Sequence, residues 1–185
     1  MMSKIGVLLK RCIWAENIAR ILSILIEGFP AGSPTSNRLF GPPVALSATY
    51  LFGWALIITA TLIRKRCYEI LGPMFTFELA IRGDHRLVQT GPYSVVRHPS
   101  YSAFILLNCG VMITHCGSEG PYLLYFISPN LKMTYNAFVF GVSVWSSYLF
   151  IARADVEEKV LVERFGTEWN AWANRVPKFF PRLWW

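Results

Sequence analysis

The residues best suited to chemistry fall in two short blocks, "HRLVQTGPYSVVRHPSY" (85–101) and "RADVEEK" (153–159). In the first, Pro99 suits the first turn of a helix, where its missing N–H costs nothing. A helix is therefore expected to begin between His98 and Ser100. Its free N–H groups and its dipole favour an anion there. Arg97 and His98 add donors at the same end. Two readings stand for this group: a helix anchor, with Arg97 snorkelling to phosphates and His98 capping the helix, or a ligand site. Upstream, Gly91 permits close backbone approach and Pro92 sets the chain direction in a turn. His85 precedes Leu87 and Val88, two apolar residues able to line a flat aromatic ligand. In the second block, Arg153 and Glu157 are four residues apart and share a helix face, with Glu158 beside them. As a solvated pair they would contribute only about 0.3–0.5 kcal/mol.

An anion site with Arg and His, a pair of carboxylates and several aromatics suits a zwitterionic, partly cationic ligand. Nucleophilic catalysis is not indicated, because no Ser-His-Asp or Cys-His pattern is present. His85, His98 and His115 lack metal-ligand spacing, and no Gly-x-Gly-x-x-Gly loop follows a strand. The cysteines, Cys12, Cys67, Cys109 and Cys116, read as small apolar fillers.

The elements that must position these blocks are apolar. Of 185 residues, 54% are hydrophobic and 16% charged, and the mean hydropathy is +0.38. That is too apolar for an ordinary soluble domain of this size. Pro43 to Ile63, Tyr101 to Gly117 and Met133 to Ile151 contain no Asp, Glu, Lys or Arg. Roughly 20 helical residues cross a hydrocarbon core, and backbone in lipid must be paired within its own segment. All three are read as helical spans. The stretch Ile5 to Phe29 carries Lys10, Arg11, Glu16, Arg20 and Glu27 among apolar residues. It is either an amphipathic surface helix or a fourth span over about 12–29, and the pattern of a cleaved leader is missing. The expected fold is all-α: a single polytopic membrane domain over 1–185 with about four (three to five) spans. N-terminal helices would occupy 1–66 and the functional core 67–185.

The net charge of +7 speaks for membrane orientation and anionic lipids, not nucleic acid. "RKR" at 64–66, with Arg82, Arg86 and Arg97 after it, puts the connection 64–98 on the cytosolic side. The next span then leaves the cytosol near Tyr101, turns at "CGSEGPY", and returns to emerge at Arg153. Pro121 to Asn130, broken by Ser-Pro-Asn, lies at the far interface or extends the returning helix. Both polar blocks thus fall at one membrane face, at the open end of a helical hairpin. Beyond them, Val156, Val160, Leu161 and Phe165 have helical spacing, Gly166 reads as a helix stop and Thr167 as the cap of a second short helix. "VPKFFPRLWW" suits the membrane interface; the alternative is that it covers a pocket.

The two blocks, the second continued as "RADVEEKVLVERFGTEWNAWANRVPKFFP", resemble the isoprenylcysteine carboxyl methyltransferase family over about residues 68–181. The family pattern reads roughly His-x-Leu-Val, Gly-x-Tyr and Arg-His-Pro-x-Tyr, then Arg, paired Glu, Phe-Gly and Val-Pro. "LGPMFTFELAI" (71–81) is also similar to the family's lead-in. The resemblance implies a membrane enzyme that takes S-adenosylmethionine and methylates the C-terminal carboxylate of a prenylated cysteine. Endoplasmic reticulum residence, with the site facing the cytosol, is implied for a eukaryotic source. The implied partners are prenylated proteins and membrane lipids, with no metal. His85, Arg86, Leu87 and Val88 would wrap the adenosine part of the cofactor, with Tyr93 beside it. His98, Pro99, Ser100 and Tyr101 would hold its methionine end. Glu157 would bind the cofactor's amino group or ribose, with Glu158 a further cofactor residue and Glu78 near a position that reaches the cofactor in some relatives. Arg153 would pair with the substrate carboxylate and carry the catalytic role. The chain departs from the pattern at Ala103, where the family usually has Gly, and larger members carry extra N-terminal helices. A phospholipid N-methyltransferase and a non-catalytic lipid-binding or scaffold protein are the alternatives.

Overall fold

The computed structural model describes residues 47–72, 86–117 and 128–181, with four single helical positions before them, Arg11, Ala15, Ile18 and Leu22. The choice between a surface helix and a fourth span at the N-terminus lies outside the described residues, as do Glu78 and His85. Among the described residues the chain forms α1 (Ala48–Leu71), a 3₁₀ turn (Gly91–Ser94), α2 (Pro99–Cys116) and α3 (Pro129–Ala173), and no strand.

Each start has a local cause. The Ser47 hydroxyl accepts from the Tyr50 N–H at 3.1 Å and caps α1. Pro99 occupies the first turn of α2 with His98 before it, as expected from its place in the sequence. Ser128 caps α3 by accepting from the Asn130 N–H at 3.3 Å, so Ser-Pro-Asn opens the returning helix. Gly166, at φ 51° and ψ −116°, breaks α3 at the expected stop, and two helices run end to end across it.

α2 packs against both α1 and α3. Beside Tyr50 and Thr114, the buried positions along the α1–α2 seam are small, Gly53 and Ala60 on one side and Ala103 and Gly110 on the other. A Cβ on Gly110 would fall 2.7 Å from the Gly53 carbonyl oxygen, so the backbones touch there. Gly53 against Gly110, and Arg64 bonded to the Ser100 carbonyl, fix an antiparallel register that brackets Ala60 and Ala103. Ala103, the departure from the family pattern, is thus a small residue that the seam accommodates at 2% exposure. On its other side α2 presents Asn108, whose amide donates to Ser147 Oγ (2.9 Å), Ser146 Oγ (3.1 Å) and the Ser143 carbonyl (3.3 Å) of α3.

The large apolar residues face outward: Leu51, Phe52, Ile58 and Leu62 of α1, and Phe138, Phe140, Trp145 and Leu149 of α3. Small residues inside, polar clamps between helices and bulky apolar residues outside suit helices packed in lipid. The helix over Asn130–Ala173 is long and apolar enough to cross a membrane, and only 11% of its apolar window is buried.

Candidate functional site

The register between α2 and α3 decides what meets at the open end of the hairpin. Phe104 stacks on Phe150 at 4.1 Å between ring centroids, and one turn nearer the mouth Tyr101 meets Phe150 edge-on at 5.1 Å. Continuing in that register brings Tyr101 and His98 to Arg153, Glu157 and Glu158. The Tyr101 hydroxyl donates to Glu157 Oε2 at 2.8 Å, and both Glu157 and Arg153 bear on that hydroxyl by charge and hydrogen bonding. The His98 ring is buried and stacks on Tyr101 at 5.4 Å. Its Nε2 lies 3.1 Å from Glu158 Oε1, while its Nδ1 is 3.9 Å from Glu157 Oε2. An ionised carboxylate only accepts, so Nε2 carries the proton in that contact.

Glu158 is held from three sides. Arg97 Nε donates to its Oε1 at 2.9 Å, His98 shares the same oxygen, and Lys178 reaches Oε2 at 3.3 Å. Burial alone would raise its pKa, but the His98 hydrogen bond and the charges of Arg97, His98 and Lys178 bring it down to about 2. Glu157 is different: its Oε2 takes Tyr101, and its Oε1 has no hydrogen bond among the described residues. Two adjacent carboxylates therefore divide their work, with Glu158 committed to the protein and Glu157 holding an acceptor in reserve.

The expected anion donors are correspondingly fewer. Arg97 gives its guanidinium to Glu158, to the Ala173 carbonyl at 2.7 Å and to the Val176 carbonyl at 3.1 Å, with its cation 6.0 Å from the Trp169 ring. It neither snorkels nor waits for a ligand; it fastens the tail. The His98 N–H donates to the Lys178 carbonyl and Pro99 has none, so Ser100 offers the remaining unpaired N–H at the start of the first turn among the described residues.

The tail closes over this end of the hairpin. The Arg97 and His98 N–H groups donate to the Pro177 and Lys178 carbonyls at 2.8 and 3.0 Å, and the Ser102 hydroxyl donates to the Phe179 carbonyl. The Phe179 ring lies 5.8 Å from His98, and Lys178 also pairs with Asp155. Phe179 lies over the site while Phe180 is exposed, and 182–185 of this segment lie outside the described residues. Trp169, Trp172 and Val176 form a buried cluster against which Leu87, Tyr93 and Phe165 pack.

Tyr93 stands in the 3₁₀ turn, which docks on the end of α1. Gly91 has φ 61°, a conformation that favours glycine, and a Cβ there would meet Ile70 Cδ1 at 2.6 Å. Burial, then the neighbouring Cys67 and Glu157, pushes the Tyr93 phenol far above its ordinary pKa and keeps it neutral. Cys67 is fully buried beside Tyr93.

Of the residues expected in the site, Tyr93, His98, Tyr101, Arg153, Glu157 and Glu158 converge. Pro99 and Ser100 form the first turn beneath them, with the Ser100 carbonyl taken by Arg64 at 3.0 Å. Leu87 joins the tryptophan cluster, Val88 is half-buried beside it in sequence, and Arg86 is exposed. Arg64, Trp169, Trp172 and Lys178 were not singled out by spacing. The signal for the tryptophans was there, since Phe165, Trp169 and Trp172 recur at helical intervals.

The family model for isoprenylcysteine carboxyl methyltransferases matches residues 53–163. Protein-S-isoprenylcysteine O-methyltransferase B of Arabidopsis thaliana is 32% identical over 132 residues, 70% of this chain and 58% of that protein. The protein-S-isoprenylcysteine O-methyltransferase of Saccharomyces cerevisiae is 29% identical over 158 residues, 84% of this chain and 57% of its own. That of Schizosaccharomyces pombe is 31% identical over 176 residues, 92% and 67% respectively. The chain thus spans 58% of the length of each Arabidopsis relative it matches. The matched stretch runs from Gly53 at the α1–α2 seam through His98 and Tyr101 to the part of α3 that holds Arg153, Glu157 and Glu158, and the chain belongs to the isoprenylcysteine carboxyl methyltransferase family.

Proposed function

We propose that this chain transfers a methyl group from S-adenosylmethionine to the C-terminal carboxylate of a prenylated cysteine. The observation that carries the reading is the Tyr101–Glu157–Arg153 cluster, with His98 beside it, at the open end of the α2–α3 hairpin of a chain in this family. The cofactor has a cationic amino group, ribose hydroxyls and a flat base. The site has an acceptor oxygen of Glu157 with no hydrogen bond among the described residues, and Leu87 and Tyr93 on an apolar shelf, so donor set and ligand fit. Glu157 would take the amino group or a ribose hydroxyl, and Tyr93 and Leu87 would lie along the nucleoside. Glu158 would serve by holding Arg97, His98 and Lys178 in place.

When bound, S-adenosylmethionine supplies a sulfonium methyl open to in-line displacement by an ionised oxygen. A C-terminal carboxylate is already ionised near neutral pH, so no strong general base is required. What the protein must supply is alignment and exclusion of water. Arg153 would orient the carboxylate through its planar donors without protonating it. The tail and the tryptophan cluster would keep water from the cytosolic side. The chain would be polytopic, with α1 and α2 as further spans, the prenyl group reaching the site from lipid and the site facing the cytosol. In a eukaryotic cell the membrane would be that of the endoplasmic reticulum.

Membranes holding the purified chain, given labelled S-adenosylmethionine, are expected to label a farnesylcysteine analogue and not phosphatidylethanolamine. Label in the phospholipid alone would give the chain to amine methylation. Label in neither, with no cofactor binding, would leave a lipid-binding protein.

A further inference from the structure

Trp172 is 4% exposed, yet its indole N–H meets no acceptor among the described residues. A buried donor left unpaired costs about 1–3 kcal/mol, and a Phe would fill most of the same space without that cost. Its neighbour Trp169, edge-on at 5.0 Å, has a partner of another kind in the Arg97 cation. Native proteins rarely bury a polar group unpaired, and where they do, a missing ligand or water is the usual reason. The position is specific: Trp172 belongs to the cluster on which Leu87 and Tyr93 pack, the shelf given above to the nucleoside. A nucleoside offers ring nitrogens and ribose oxygens as acceptors.

We propose that the Trp172 indole N–H is a binding donor to the nucleoside part of S-adenosylmethionine, placed beside Leu87 and Tyr93 by the tail helix after Gly166. This rests on the cofactor reading of the same site. It gives the tail helix a part in recognition as well as closure. It also explains a tryptophan at a position where its ring alone would be satisfied by Phe.

The test is equilibrium binding of S-adenosylhomocysteine and of adenosine to the full chain in lipid nanodiscs, with the thermal midpoint of the unliganded protein read in parallel. Trp172→Phe is expected to weaken both ligands about tenfold, the loss of one buried hydrogen bond, while the unliganded midpoint stays level or rises. A donor that pairs only with water or with nothing leaves binding within twofold of the native protein, and that result overturns the inference. Should Trp172→Phe misfold, the benzothienyl isostere of tryptophan at 172 keeps the shape and removes only the N–H, and the same two outcomes apply. If the native chain itself binds neither ligand, the cofactor reading falls, and this inference with it; native binding with unchanged variant binding removes the inference alone.

Discussion

Glu157 and Glu158 are adjacent in sequence and opposite in use. Glu158 accepts from Arg97 and His98 and is close to Lys178, so its charge is part of the structure. Its pKa of about 2 lies below the ordinary 4.5, so the folded state binds this proton less readily than the unfolded one. Its stabilisation is complete above about pH 4.5 and is lost as pH falls toward 2. Glu158→Gln should therefore melt several degrees lower than the native chain at pH 7, roughly 3 °C for each kcal/mol lost, and the gap should narrow by pH 3. A gap independent of pH would mean that the carboxylate charge is not what matters. Arg153 acts on the Tyr101 hydroxyl, and the role proposed for it is to orient the substrate carboxylate. Arg153→Ala should lower transfer to farnesylcysteine by at least about a hundredfold. Binding of S-adenosylhomocysteine, measured separately, should stay within a few fold. Equal losses in both would give Arg153 to the cofactor.

At the scale of elements, the site depends on how closely three helices approach. Gly53 and Gly110 let α1 and α2 touch at the backbone, and Arg64 then reaches the Ser100 carbonyl and lies 5.4 Å from the Phe104 ring. α1 thereby fixes the first turn of α2, which carries His98 and Tyr101. Gly110→Val would set a branched side chain against Ile57 and the Gly53 carbonyl. It should cost about 1–3 kcal/mol, seen as a lower melting midpoint in detergent, and should reduce transfer although the residue is far from the cluster. Normal activity with normal stability would show that the helices can separate without moving the site. On the other flank Asn108 ties α2 to Ser143, Ser146 and Ser147, which holds the register that aligns Tyr101 with Glu157.

At the scale of the molecule, the tail joins parts of the chain some eighty residues apart. The Arg97 and His98 amides bond Pro177 and Lys178, and Arg97 reaches the Ala173 and Val176 carbonyls. A chain ended at Val176 loses the Lys178 contacts, the Phe179 ring and both amide acceptors. It should still insert in membranes, because α1 to α3 are intact. Its transfer rate should fall roughly a hundredfold as His98 and Glu158 lose their restraint. Undiminished transfer would make the tail an interfacial anchor only.

The sequence by itself determined that the apolar runs are helices, that Pro99 opens α2 and that Gly166 breaks α3, each through backbone chemistry that acts within a few residues. The run of α1 on to Leu71 and the start of α3 at Pro129 lie beyond the apolar runs that the sequence marks as 43–63 and 133–151. Positive charge and hairpin order also brought the two polar blocks to one face, and the motif residues His98, Tyr101, Arg153 and Glu157 meet there. Tertiary structure alone decided which of the polar groups are spent. Arg97 read equally well as an anchor or a ligand donor, because a guanidinium's partner depends on what folds against it, and here that is a tail seventy-six residues later. The same holds for Glu158 against Glu157, for Cys67 beneath Tyr93, and for the Trp172 N–H: spacing puts a group on a face, but only packing shows whether its hydrogen bonds are already made.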